Sequence, residues 1–178
     1  MDERTIKLLD KCEAMSLLST KASSHWSFIK FVLGMPLILT SSIMCILNSF
    51  EREGESNMRI PNVVVNGCSV LIMSLQNNLK VPEKVELFKS LSNQYLILAH
   101  SIEAIEPTEI TRDMINNWTE KYDSLQLLCQ FEDIPQKYKK EIINSWKNRS
   151  LPLQLNGASG IKRNSGKSGD LQIVSEIV

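Results

Sequence analysis

The chain has no excess of charge. Its 20 Lys and Arg are matched by 20 Asp and Glu over 178 residues. No basic surplus draws it to nucleic acid, so no nucleic-acid partner is expected. It is poor in cysteine, with 4 residues and no C-x-x-C pair, which excludes a disulfide scaffold and the usual metal spacings. It has 2 histidines, His25 and His100, and neither lies in a Ser, Cys or Asp pattern that resembles a catalytic constellation. The sequence therefore predicts no enzyme, no catalytic or metal-ligating residue and no cofactor. One loop invites a phosphate-binding reading, Gly166-Lys167-Ser168, but Ile161 stands where the first glycine of that motif is needed.

The most informative absence is local. Phe31 to Phe50 is 20 residues without a charge, and Asn62 to Leu79 is 18 more. A bilayer core of about 30 Å takes roughly 20 residues of helix. Eleven residues join the two windows, so they predict a helical hairpin through a membrane. Trp26, Phe28 and Phe31 flank the first window, as interfacial aromatics do, and His25 beside Trp26 reads as part of that anchor. The first window lies too far into the chain, and is too long, for a secretory signal core. The second holds Asn62, Asn66, Gln76, Asn77 and Asn78, each a penalty in hydrocarbon. It enters best alongside the first, with its amides turned inward.

Basic residues near the spans set the orientation. Arg4, Lys7, Lys11, Lys21 and Lys30 precede the first, and Lys80, Lys84 and Lys89 follow the second. Only Arg52 and Arg59 lie between. The expected localisation is thus a two-span membrane protein with both termini cytosolic.

Outside the windows the pattern is helical throughout. Leu8, Cys12, Met15, Leu18 and Ala22 fall on one face of a helix over 3–27 that can run directly into the first span. Phe88, Leu91, Tyr95, Leu98, Ile102 and Ile105 repeat at alternating spacings of 3 and 4 within a helix over 83–106. That is a coiled-coil seam, and its partner is the N-terminal helix, the segment beyond Pro107, or another chain; a seam between copies would make a homo-oligomer. Thr108 is a plausible N-cap for a next helix, with Met114, Trp118, Tyr122 and Leu125 as its apolar stripe. Pro135 opens a last helix carrying Tyr138, Ile142 and Trp146. Core packing is the expected role of both tryptophans. Residues 151–178 read as a flexible, Gly/Ser-rich tail with an apolar end that suits a protein partner. The fold class is therefore all-α: a two-transmembrane hairpin, a cytosolic bundle or coiled coil, and the tail.

Two polar stripes lie within the spans. Asn62, Asn66, Ser69, Met73 and Gln76 share one face of the second, and Gly34, Ile38, Ser41, Cys45 and Asn48 one face of the first. Small and amide residues allow close, hydrogen-bonded helix packing. The stripes either face each other within one hairpin or line a polar path between several copies. Pro36 is a candidate kink in the first span. Cys45 and Cys68 would stand at similar depth, as small packing residues or as a disulfide pair.

His25-Trp26 before the first span, Leu33-Gly34-Met35-Pro36 within it, a short loop, a second span ending near Leu75-Gln76, then Pro82-Glu83 and a helix with Tyr95 and Leu98 form a recognisable layout. It resembles the SLATT family, two-transmembrane effector domains associated with nucleotide-signalling conflict systems. The resemblance covers roughly residues 5–106, leaving 107–150 as further cytosolic helices. It implies an effector that oligomerises and perturbs or permeates a bilayer, and it brings no catalytic residues. The alternative reading is a structural anchor, for example in a viral or organellar membrane, that binds a coat or partner through its cytosolic helices and tail.

Overall fold

The structure is a computed structural model and describes residues 3–49, 59–147 and 149–158. Every regular element among the described residues is helical: α1 (Glu3–Ser49), α2 (Arg59–Asn78), α3 (Val81–Glu103), α4 (Arg112–Leu128), a 3-10 turn (Phe131–Asp133), α5 (Gln136–Ser145) and α6 (Leu153–Ala158). The all-α class expected from the periodicities is the class observed.

α1 is one helix of 47 residues, about 70 Å long. The N-terminal helix and the first apolar window are thus continuous, and Pro36 lies within the helix rather than ending it. The two halves live in different surroundings. In the first, Leu8, Cys12, Met15, Leu18 and Ala22 are all buried, as their spacing requires. Beyond Ala22 no residue of α1 with a described side chain is buried.

α3 lies antiparallel along the first half. Ser16 donates to the Ser92 carbonyl at 3.1 Å, and seven residues further on, Ser23 donates to the Val85 carbonyl, seven residues back on α3, at 3.3 Å. Small buried residues on α1 (Ala14, Ser16, Ser19, Ala22) let the two backbones approach. The seam of α3 fills the space between them: Phe88, Leu91, Tyr95, Leu98 and Ile102 are each at most 4 % exposed, and Ile105 packs at the edge of the same core. Of the three partners open to the seam, the N-terminal helix and the segment beyond Pro107 close it inside one chain, where a seam between copies would have made a homo-oligomer. Its partner is the Leu8–Ala22 stripe of α1, together with Trp118, Tyr122 and Leu125 of α4.

α4 begins one residue after Thr111, whose hydroxyl accepts from the Met114 amide. The cap is Thr111 rather than Thr108, because residues 107–109 form a turn first. Ile142 of α5 and Leu155 of α6 complete the core. Residues 151–158 are therefore part of the bundle, although composition groups them with the tail: Pro152 and Leu155 are fully buried and α6 is helical. The remainder of the expected tail, including Gly166-Lys167-Ser168, lies outside the described residues.

The Tyr95 hydroxyl is buried in this core without a hydrogen-bond partner. Burial, with Cys129, Tyr122 and Cys12 nearby, pushes its ionisation far above the ordinary tyrosine range. An unpaired buried hydroxyl costs about 1–3 kcal/mol in desolvation. Tyr95→Phe keeps the ring, which meets Tyr122 edge-on at 5.8 Å, and removes that cost. The expected result is a chain at least as stable as wild type, by up to about 2 kcal/mol in denaturant unfolding.

Candidate functional site

The second half of α1 and all of α2 stand out from the bundle as a pair. From Phe28 to Ile46 and from Pro61 to Leu79 every residue is exposed or half-buried. α1 is the one described helix long and apolar enough to cross a membrane, and its most apolar stretch has no residue buried inside the fold. α2 has the length, 20 residues, but its amides keep it below that hydropathy. Large apolar side chains point outward all round: Phe31, Ile38 and Ile43 on α1, Val63, Val70 and Leu71 on α2, each more than half exposed. Large contiguous apolar patches are rare on soluble monomers and mark interaction surfaces.

The half-buried residues mark where the pair meets. On α2 they are Asn62, Val65, Ser69, Ile72 and Gln76, and on α1 Ile29, Leu33, Leu37, Thr40 and Met44, with Gly34 beside them. Three members of the expected α2 stripe, Asn62, Ser69 and Gln76, do lie on this seam. Asn66 and Met73 lie outside it and are exposed. The seam is rotated by one residue, so Val65 and Ile72 replace them and the interface is half apolar. On α1, Ser41, Ile38 and Cys45 are exposed, and the side chain of Asn48 lies outside the described residues. The two expected stripes are therefore not brought face to face along their length. Nor does the pairing rest on glycine, since a Cβ at Gly34 or Gly67 would meet nothing within 4 Å.

Three hydroxyls along the pair are satisfied within their own helices. Thr40 donates to the Pro36 carbonyl at 2.7 Å, Ser42 to Ile38 at 2.8 Å and Ser69 to Val65 at 2.9 Å. A hydroxyl bonded in this way makes no demand on surrounding water. Cys45 and Cys68 form no disulfide and are exposed.

The neck, where the pair leaves the bundle, holds a cluster that no local pattern announces. The Trp26 indole N–H donates to the Asp133 carbonyl at 3.2 Å. Lys84 donates to the Asp133 carboxylate at 2.9 Å, with its ammonium 4.4 Å from the centre of the Trp26 ring. His25 meets Trp26 and Tyr138 edge-on. Trp26 thus ties α1 and α3 to the 3-10 turn before α5, rather than serving simply as a lipid anchor. Lys80 makes the turn between α2 and α3 in the left-handed conformation, φ 49°, and Pro82 starts the next helix. A second unforeseen feature is Lys139, buried with its ammonium 4.2 Å from the centre of the Phe131 ring. Burial lowers its pKa below the ordinary lysine value. Among the described residues no group of three or more His, Cys, Asp or Glu is placed to hold a metal ion.

No protein-family model, no curated protein and no solved structure matches this chain.

Proposed function

We propose that the protein is an integral membrane protein whose second half of α1 and whole of α2 span the bilayer as a hairpin, with the bundle and both termini cytosolic. The observation that carries this reading is the protruding pair of helices, apolar on the outside and joined to a bundle whose own core is already closed. α2 lacks the hydropathy to insert alone, and pairing with α1 shelters Asn62, Ser69 and Gln76. Lys30 and Lys80, both exposed, mark the cytosolic edge of the hydrocarbon.

Within that frame it is a SLATT-like effector that oligomerises and permeabilises or perturbs the membrane. Asn66 supports this. Its amide lies within the span on the outer face of α2, about one turn past Asn62, where lipid offers it no hydrogen bond. An amide there is best satisfied by another intramembrane polar group, such as one from a second copy. Because the α3 seam is closed, the contact between copies runs through the hairpin. Purified protein is expected to release dye from liposomes, and Asn66→Leu is expected to lower the release about tenfold while leaving membrane insertion intact, in line with roughly 1–2 kcal/mol for an intramembrane amide contact. Absence of release at every protein density contradicts the effector reading.

A structural anchor is the second reading, favoured by the closed seam and by the exposed Leu127 and Leu128 at the end of α4. It predicts the same membrane insertion, no dye release, and stoichiometric co-purification of a partner.

A further inference from the structure

A groove between α1 and α3 opens just below the neck, and every residue lining it is polar, with one cation and no carboxylate. Three of its hydroxyls are already committed to the fold: Thr20 donates to the Ser16 carbonyl at 2.9 Å, the Ser92 hydroxyl pairs with that of Thr20 at 2.6 Å, and Ser23 donates to the Val85 carbonyl. Ser24, Ser27, Lys89 and Asn93 remain, all exposed on the groove wall. Hydroxyl, amide and ammonium donors without an acid are the donor set that an anion recruits, and a metal cation would be repelled by the lysine.

Position narrows the anion. Ser27 directly precedes Phe28, which is 65 % exposed, and lies about 5 Å below Lys30 along the helix. Lys89 lies about 12 Å along α3 from Val81 at the neck, and its side chain can reach back toward the mouth. The groove therefore runs from the headgroup layer into the cytosolic side. We propose that it binds the headgroup of an anionic lipid, with Ser24 and Ser27 at the phosphodiester and Lys89 and Asn93 on a second phosphate further from the bilayer. The acyl chains would lie against Phe28 and Phe31 of the hairpin. The inference rests on the membrane reading above.

The test uses the full chain in neutral detergent micelles, titrated with short-chain phosphatidylinositol bisphosphate, short-chain phosphatidylglycerol, free inositol trisphosphate and inorganic phosphate, with Trp fluorescence as the signal. The bisphosphate lipid is expected to bind tightest. Lys89→Gln is expected to weaken it about fivefold, as loss of one cation near a charged headgroup should. Ser24→Ala/Ser27→Ala should weaken both lipids. Lys147→Gln, at the opposite end of the bundle, is expected to change nothing. Equal binding by wild type and Lys89→Gln, or equal loss in Lys147→Gln, overturns the site. Equal affinity for free inositol trisphosphate overturns the lipid source. A chain that stays monodisperse without detergent contradicts the membrane reading instead, whatever the groove binds.

Discussion

Replacing Leu71 by arginine is expected to remove α2 from the membrane and leave α1 as the single span. Leu71 is 66 % exposed, near the middle of α2 and away from its seam with α1. Arginine at the centre of a span costs about 2.5–3.5 kcal/mol for insertion, against a small gain for leucine. α2 has little reserve to absorb that, because its amides already reduce its hydropathy. The inserted fraction in a glycosylation or protease-protection assay should fall roughly a hundredfold. The sign of the effect is diagnostic. If the hairpin faced water, an exposed Leu→Arg change would alter stability by no more than about 0.5 kcal/mol and would improve solubility. Leu71→Ala serves as the control and should leave insertion largely unchanged.

Phe88→Ala is expected to lower the stability of the bundle by about 3–5 kcal/mol. Phe88 is fully buried between α1 and α3 and has no other aromatic on α3 to close over the gap except Tyr95, two turns along. For a domain with stability in the usual range this leaves a large unfolded fraction at 37 °C. Any concentration dependence of the unfolding midpoint should be the same for the wild type and the variant, because the seam is closed within the chain and copies meet through the hairpin. A dependence that Phe88→Ala abolishes would mean that copies share this seam.

The helical periodicities were legible because burial on one side of a helix imposes its own spacing. Leu8 to Ala22, Phe88 to Ile105 and Met114 to Leu125 are all visible as faces, and all their members are buried except half-buried Ile105 and exposed Met114 at the ends. What a face meets is not written in its spacing. The α3 seam has the form of an oligomer interface, and only the small residues of α1 opposite it show that the partner is the same chain. Within the hairpin, polar residues occur on more than one side of each helix. Asn62, Ser69 and Gln76 of the expected stripe lie on the seam, but a turn of one residue exchanges Asn66 for Val65 and Met73 for Ile72. Thr108 and Thr111 are both chemically fit to cap α4, and the turn at 107–109 decides between them. The neck could not be foreseen: Trp26, Lys84 and Asp133 come from three distant segments and carry no shared pattern. Buried Lys139 and the burial of Leu155 likewise depend on the tertiary fold. The polar groove below the neck is legible as a site only once α3 is laid antiparallel on α1.

The central claim, that the hairpin lies in lipid while the bundle does not, can be tested with the chain's own four cysteines. Cys45 and Cys68 are exposed on the hairpin, and Cys12 and Cys129 are buried in the bundle. Burial pushes the Cys12 thiol up to about 12 and the Cys129 thiol to about 11, so at neutral pH neither supplies much thiolate and both react slowly while the bundle is folded. A membrane-impermeant maleimide should therefore label none of the four in sealed vesicles carrying the reconstituted protein. All four should react once detergent and denaturant are added. Fast labelling of Cys45 and Cys68 in the same vesicles, at the rate of a free aqueous thiol, would place the hairpin in water and contradict the account.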